Sequence, residues 1–387
     1  MAILLLAVNL RILVNALGAV VPELEDSTGL SPSASGVLLA IPTLCFAFIG
    51  FGAPGLAARF GAHRTTLVSL ILLIAGQLLR ALVPGVPMLF LGSVIGLAGV
   101  AVCNVLLPGL VRLHFPHAIP AVTAAYTTLL SVGGAFGAGL SLPIAHGLGG
   151  GWRTGIGVWS VTAMIALVPW IPLMIRQSER SGRTASQRIP LRLLSRSPLA
   201  WAMALFFGIQ ALQTYTMFGW LPAILTDAGL SDEHAASMVA IVPLIGIPIS
   251  AVVPWLLGRL RRQEWLIVLF GICYLLGYLG MIFAPARLTW LQVLLVGIGA
   301  GAFPVALTLI ALRTRTPMGT FSLSAFSQSA GYLLASAGPI GFGLLFDLTG
   351  SWTIPLVTLI ALMVAMVVCG LIVVQPRTLE DELQAPS

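Results

Sequence analysis

Apolar runs separated by glycine, proline and charged residues set the pattern of this 387-residue chain. A helix needs about 20 mainly apolar residues to cross a bilayer, and the runs have about that length. The pattern therefore predicts twelve transmembrane helices. Their predicted ranges are 2–21, 33–56, 65–84, 87–112, 119–145, 152–175, 199–226, 233–257, 264–284, 288–312, 318–346 and 352–374.

The second half of the chain repeats the first at a shift of 200 residues. The matching pairs include Pro22 and Pro222, Trp152 and Trp352, and the Gly-Leu-Ser segments 29–31 and 229–231. We therefore predict an all-α membrane protein with two six-helix halves in parallel repeat, residues 1–175 and 199–374. A polar, arginine-rich linker at 176–198 joins the halves, and a tail follows at 375–387.

Composition agrees with a membrane protein, because 58% of the residues are apolar and only 8% are charged. Soluble domains carry about 25% charged residues. The cysteines at 45, 103, 273 and 369 all fall in apolar runs, which indicates neither a disulfide framework nor a metal site. Nucleotide-binding and metalloprotease motifs are absent from the sequence. We therefore predict no cofactor, no metal and no enzymatic activity.

The arginines predict the orientation in the membrane. They concentrate in one set of alternate loops and in the linker, whereas the other loops hold only Arg80, Arg153 and Arg287. Arginine-rich loops stay in the cytoplasm, so both termini are predicted to be cytoplasmic in a bacterial inner membrane. This topology accounts for the net charge of +7, and we predict no nucleic-acid partner.

Short motifs in several helices carry a family resemblance. They are Asn9-Leu10-Arg11, Pro22-Glu23-Leu24, residues 104–112, Tyr126-Thr127, residues 206–210 and Trp220-Leu221-Pro222. Together they resemble the cyanate and 2-nitroimidazole permease family of the major facilitators, over nearly the whole chain. The resemblance implies the major facilitator fold, alternating access and transport of a small anion or polar solute. Such a solute would be cyanate-like, a weak organic acid, or a nitro or heteroaromatic compound.

The superfamily's signature between the second and third helices is present only in part. Gly55, Arg59, Gly61 and Arg64 match it, but Ala58 stands where an aspartate is usual. The resemblance implies a cytoplasmic gate, and weaker closure is expected without that carboxylate. The predicted gating residues are Arg59, Arg64, Arg112 and Arg259.

Arg11 is the strongest candidate for substrate binding. It lies in the middle of the first apolar run, and Asn15 shares its helix face four residues later. Arginines inside membrane helices usually mark a substrate or ion path. No carboxylate is predicted in a membrane interior, because those that fall within predicted helices lie at helix ends. A substrate anion would supply the counter-charge through the guanidinium fork. The alternative is a structural arginine satisfied by backbone carbonyls, amides or water.

Further polar residues inside apolar runs complete the candidate site near the midplane. Amides and hydroxyls within a membrane must find partners, so they face protein or a cavity. For each of them, interhelical hydrogen bonding or packing is the alternative, and for Asn9 it is the preferred one. The histidines at 114, 117 and 146 are expected to be solvated. The remaining candidates for substrate binding are Asn104, Tyr126, Gln210, Gln213, Gln328 and Tyr332.

The predicted function is a monomeric secondary transporter whose partners are a small, anionic substrate and membrane lipid. One alternative is a multidrug exporter, which would need a carboxylate inside the membrane for its cationic substrates. The other is an anion channel or a sensor on the same fold. Arg11 favours the anion transporter over the multidrug exporter, because an arginine would bind a negatively charged substrate.

Overall fold

The computed structural model describes residues 1–180 and 189–384, and within these ranges every regular element is a helix. Arg183 and Arg188 of the predicted linker lie outside the described residues. The first part of the chain forms α1 Ala2–Thr28, α2 Pro32–Phe48, α3 Ala53–Phe60, α4 Ala62–Leu82, α5 Val86–His114, α6 Ile119–Gly147, α7 Gly151–Gly157, α8 Trp159–Leu167 and α9 Trp170–Arg180. The rest forms α10 Leu191–Leu194, α11 Pro198–Asp227, α12 Asp232–Leu257, α13 Glu264–Phe283, α14 Thr289–Gly299, α15 Ala302–Leu312, α16 Pro317–Thr349, α17 Thr353–Val373 and α18 Leu379–Gln384.

Three predicted helices contain local breaks, but two of them still match helical stretches long and apolar enough to cross a membrane, Ala34–Phe60 and Thr289–Leu312. Segment 33–56 breaks into α2, a 3-10 turn at Gly50–Gly52 and α3; segment 288–312 breaks into α14 and α15 around Ala300 and Gly301. Segment 152–175 breaks into α7, α8 and α9, and α8 ends two residues before Pro169. Glycine weakens a helix interior, and proline has no backbone N–H to donate to the preceding turn.

In the part of the chain that the structure describes, nine helical stretches are long and apolar enough to cross a membrane. They include α1, α4, α5, α6, α13, α16 and α17. The twelve membrane crossings stay a prediction, because the remaining helices are shorter, interrupted or more polar.

The chain divides into two compact units. Unit 1 comprises residues 1–116, 125–189 and 316–325, and unit 2 comprises residues 117–124, 190–315 and 326–387. The predicted boundaries at 175 and 198 stay a prediction.

Close helix packing inside each unit depends on glycine. In unit 1, a methyl group at Gly133 of α6 would overlap the carbonyl oxygen of Val8 in α1, and one at Gly137 would lie 2.9 Å from the carbonyl oxygen of Ile12. In unit 2, a methyl group at Gly331 of α16 would lie 2.7 Å from a ring carbon of Phe207 in α11. These glycines of α6 and α16 therefore lie on close-packing surfaces.

One hydrogen bond occurs in both units at equivalent positions. The indole Nε1 of Trp152 donates to Ser27 Oγ at 2.8 Å in unit 1. In unit 2, the indole Nε1 of Trp352 donates to Asp227 Oδ2, also at 2.8 Å. Both partners are related by the shift of 200 residues, so the sequence repeat is also a repeat of structure.

The predicted tail is folded back onto unit 2 as far as residue 384. Arg313 donates to the carbonyl oxygens of Val373 at 2.7 Å and Val374 at 2.5 Å, and the Leu379 amide donates to the Arg313 carbonyl at 2.8 Å. Burial lowers the pKa of Arg313 from its usual value, and the negative charge of Glu264 opposes that shift.

The docked helix α18 contributes acidic side chains to this contact. Asp381 forms an ion pair with Arg315, and Glu382 accepts a hydrogen bond from the backbone amide of Leu199 at the start of α11. The tail is thus tied both to the end of α15 and to the first turn of α11.

Candidate functional site

Arg11 and Asn15 lie side by side on α1 and face α6. A methyl group at Gly134 of α6 would lie 2.9 Å from Asn15 Nδ2 and 3.5 Å from Arg11 Cβ. The Asn15 amide donates to the Gly134 carbonyl oxygen at 3.1 Å. Both side chains are half-buried, so the glycine leaves room for a cation and an amide on one face of the helix.

Asn104 and Tyr126 are the other two candidates in unit 1. Asn104 is buried in α5, one turn before Pro108, and Tyr126 is buried in α6. The structure places them on the helices that the sequence predicted, in the same unit as Arg11 and Asn15.

Asn9 takes the structural role that the sequence favoured. Its Nδ2 donates to the Leu5 carbonyl at 2.9 Å, and its Oδ1 accepts a hydrogen bond from Thr162 Oγ1 at 2.7 Å. Thr162 lies on α8, so the prediction of an interhelical hydrogen bond at Asn9 is confirmed.

In unit 2, the two glutamines of α11 have different surroundings. Gln213 accepts a hydrogen bond from the Tyr278 hydroxyl at 2.9 Å, which links α11 to α13. Gln210 has a relative exposure of 2%, and its Oε1 has no hydrogen-bond partner among the described residues. Gln213 therefore forms a hydrogen bond between two helices, whereas the side-chain oxygen of Gln210 can still accept a hydrogen bond from another group.

Gln328 and Tyr332 lie buried on α16. The Tyr332 ring meets Phe207 of α11 edge-on, with 5.1 Å between the ring centroids. Phe207 is one helical turn before Gln210, so unit 2 brings Tyr332 and Gln210 to neighbouring turns of two packed helices.

Two of the predicted gating arginines stack on aromatic rings. The guanidinium carbon of Arg59 lies 5.1 Å from the ring centroid of Phe60, and that of Arg259 lies 4.1 Å from the ring centroid of Trp255. These two arginines match across the repeat, and both contacts are within cation-π range. Arg64 is exposed and Arg112 is half-buried; gating by these residues stays a prediction.

Sequence reasoning missed the most deeply buried cation of unit 1. The count of arginines in alternate loops treated Arg80 as a loop residue. In the structure Arg80 belongs to α4, and its side chain has 0% exposure. Its Nη2 donates to the carbonyl oxygen of Leu13 in α1 at 3.2 Å. The burial of Arg80 could have been predicted from its place within predicted helix 65–84, three residues after Gln77.

Sequence reasoning also missed a histidine pair where α4 begins and α5 ends. The Nε2 atoms of His63 and His114 are 2.7 Å apart, and His63 packs near Trp170. His114 is exposed on one side, so the expectation that it is only solvated is incomplete. His117 and His146 are exposed as expected.

Comparison with known proteins gives a family match over most of the chain. The model described as Major Facilitator Superfamily matches residues 3–339. An uncharacterized transporter of Bacillus subtilis, YycB, is 34% identical over 95% of this chain and 91% of its own length. The 2-nitroimidazole transporter of Escherichia coli is 33% identical over 95% of this chain and 93% of its own. The cyanate transport protein CynX of Escherichia coli is 26% identical over 91% of each chain.

Solved structures share the fold at low sequence identity. The proton:xylose symporter XylE superposes with a TM-score of 0.73 at 15% identity, covering 99% of this chain and 98% of its own. The transporter FucP superposes with a TM-score of 0.74 at 14% identity, covering 97% of this chain and 99% of its own. At such identities the likeness concerns the fold alone.

Proposed function

Because this chain belongs to the major facilitator superfamily, we propose that it moves a small anion or small polar solute across the bacterial inner membrane by alternating access. Family membership makes the chain a multi-pass membrane transporter of small molecules rather than an enzyme. The predicted all-α major facilitator fold is thereby confirmed, and the count of twelve helices stays a prediction. The substrate class and the residue that binds its charge are our proposals.

The position of Arg11 carries the proposal. An arginine at the centre of a membrane helix costs roughly 2.5–3.5 kcal/mol on an insertion scale, and Arg11 lies within a 27-residue apolar helix. Asn15 adds an amide on the same face. A guanidinium beside an amide suits a compact ligand that accepts several hydrogen bonds.

The names of the relatives support this ligand chemistry. One relative is named for cyanate, a small anion, and another for 2-nitroimidazole, a flat ring with a nitro group whose oxygen atoms carry partial negative charge. Both solutes present oxygen or nitrogen acceptors to a donor-rich site. We propose Arg11 as the group that recognises this shared feature.

Within unit 2, Gln210 is a separate candidate contact for a polar solute. The unpartnered Oε1 of Gln210 accepts but cannot donate, so it suits an N–H group such as that of an imidazole ring. Tyr332 lies on the helix packed against this part of α11. Gln213 is less suited, because Tyr278 already occupies its amide oxygen.

Uptake into proteoliposomes tests the proposal, with radiolabelled cyanate and 2-nitroimidazole as probes. Arg11→Gln keeps a polar side chain of similar reach but removes the charge. We expect cyanate uptake to fall about tenfold or more, the size expected from a lost charge-assisted hydrogen bond. Arg11→Lys should restore part of it, because the charge returns without the planar fork.

Arg287→Gln is the matched control, since Arg287 is an exposed arginine outside the candidate site. It should transport both probes at the wild-type rate. Full retention of uptake in both Arg11 variants would refute the assignment of Arg11. Competition by lipophilic cationic dyes would favour an exporter, and single-channel currents would favour a channel.

A further inference from the structure

Arg80 is a second buried cation, and the proposed function makes no use of it. It lies in the last turn of α4, within the apolar stretch Ala62–Leu82, and none of its surface is exposed. A guanidinium carries five N–H donors. Nη2 donates to Leu13, but Nε and Nη1 have no acceptor among the described residues. One N–H on Nε and two on Nη1 are therefore unused.

The helices around Arg80 supply no countercharge of their own. Segments 62–82 and 86–114 contain no aspartate or glutamate, and α1 has none before Glu23. Nearby polar side chains are already engaged, because Gln77 donates to the Ile156 carbonyl at 2.8 Å and Ser93 donates to the Leu89 carbonyl at 2.8 Å.

Glycine packing closes the site on the side of α5. A methyl group at Gly92 would lie 2.9 Å from the backbone nitrogen of Arg80 and 3.1 Å from its Cβ. The backbone of α5 at Gly92 therefore packs directly against the backbone and Cβ of Arg80. The guanidinium end reaches the other way, towards the middle of α1.

A purely structural role explains only part of this arrangement. A cation in the last turn of a helix interacts favourably with the helix dipole, and the Leu13 carbonyl accepts one hydrogen bond. Buried polar groups nevertheless almost always have partners, and a buried charge is stable only when it is paired. The missing group is one that carries negative charge and accepts several hydrogen bonds.

We propose that Arg80 binds a small monovalent anion inside unit 1, at a site separate in sequence and helix from the Arg11 and Asn15 face. The occupant is either the transported anion or a resident inorganic anion such as chloride or nitrate. The anion accepts hydrogen bonds from Nε and Nη1, while Nη2 remains on α1. Since Leu13 is only two residues from Arg11, occupancy of the Arg80 site bears directly on the helix that carries Arg11.

Thermal unfolding of the full-length protein in detergent tests the site. The melting temperature is measured in sodium gluconate and then with chloride, nitrate or cyanate at constant ionic strength. We expect a saturable rise of roughly 2–4 °C for the wild-type protein at about ten times the dissociation constant. Arg80→Met and Arg80→Gln should fold in gluconate but lose this rise.

Two further variants serve as controls. Arg287→Gln removes an exposed arginine and should keep the full anion-dependent rise, and Arg11→Gln should keep the chloride-dependent and nitrate-dependent rise. A chloride-dependent or nitrate-dependent rise that is unchanged in the Arg80 variants would overturn the proposal, and so would one that is abolished by Arg11→Gln alone. Absence of any anion-specific rise in the wild-type protein would also overturn it, whether or not the Arg80 variants fold.

Transport then identifies the occupant. If Arg80→Met lowers cyanate uptake together with the cyanate-dependent rise, the occupant is the substrate. If uptake is unchanged and only the chloride-dependent or nitrate-dependent rise is lost, the occupant is a resident anion; both results support the site. The binding assay does not depend on flux, so failure of the Arg11 assignment and failure of the Arg80 site are distinguishable.

Discussion

The hydroxyl group of Tyr278 on α13 donates a hydrogen bond to the amide oxygen of Gln213 on α11, with 2.9 Å between the two oxygen atoms. Both side chains are fully buried. The bond joins two helices of unit 2 and gives Gln213 a structural partner. It therefore separates the role of Gln213 from that of Gln210, one turn earlier on α11.

Replacement of Tyr278 tests this role. Tyr278→Phe leaves the Gln213 oxygen buried without a donor, so we expect a loss of about 0.5–2 kcal/mol in the free energy of unfolding. Reversible unfolding in mixed micelles measures it. Adding Gln213→Leu should recover most of the loss, because no unsatisfied group then remains. Equal, additive losses from the two changes would contradict the coupling.

Two glycines of α6 provide a matched test of helix packing. Gly133→Ala places a methyl group on the Val8 carbonyl oxygen, so α1 and α6 must separate, and we expect a loss of about 1–3 kcal/mol. Gly139→Ala meets nothing within 4 Å and should stabilise the helix by about 0.5–1 kcal/mol. Thermal unfolding in detergent compares the two variants, and similar melting temperatures would refute this packing.

The docking of α18 should depend on the ionised form of Asp381. A hydrogen bond from the Thr378 side chain, together with the charge of Arg315, lowers the pKa of Asp381 from its usual 3.8. A lowered pKa stabilises the folded state above the unfolded pKa of about 3.9, and this contribution is lost as the pH falls through the folded pKa. Docking should therefore be constant from neutral pH down to about pH 4 and weaken below it.

At neutral pH, Asp381→Asn should reproduce the effect of acid. We expect several-fold faster amide hydrogen exchange in residues 379–384, with little change in the membrane helices. Arg315→Gln should have a similar effect, and the double variant should add little to either. Exchange at the wild-type rate in Asp381→Asn would show that the ion pair does not hold the helix.

The repeated indole contact predicts which substitutions are tolerated at Asp227. Asp227→Ser offers Trp352 the same hydroxyl acceptor that Ser27 offers Trp152, so unfolding free energy should change by less than about 1 kcal/mol. Asp227→Leu removes the acceptor and should cost more. Equal stability of the serine and leucine variants would show that the hydrogen bond contributes nothing.

The sequence predicted helix content and the repeat well, because both are recorded in local patterns. Apolar run length fixes where a membrane helix can lie, and a nearly gapless shift of 200 residues aligns Trp152 with Trp352. Helix interruptions were harder, since the run around Ala300 is apolar throughout and only small residues such as Gly299 and Gly301 mark the break.

The candidate site was predictable only in part. Arg11 and Asn15 are four residues apart, so helical spacing alone puts them on one face. The burial of Arg80 depends on how α1 and α5 cover the end of α4, and the His63 and His114 pair joins residues 51 positions apart. Neither arrangement produces a periodic pattern along the sequence. The count of charges in loops therefore placed Arg80 in a loop instead of a buried position.

The paired contacts of Trp152 with Ser27 and of Trp352 with Asp227 also bear on the origin of the chain. A tryptophan that keeps its geometry in both copies while its acceptor differs is what gene duplication followed by divergence leaves behind. The ancestral unit would already have joined these two helix ends through an indole N–H, and the oxygen that accepts its hydrogen bond then came to differ between the two copies.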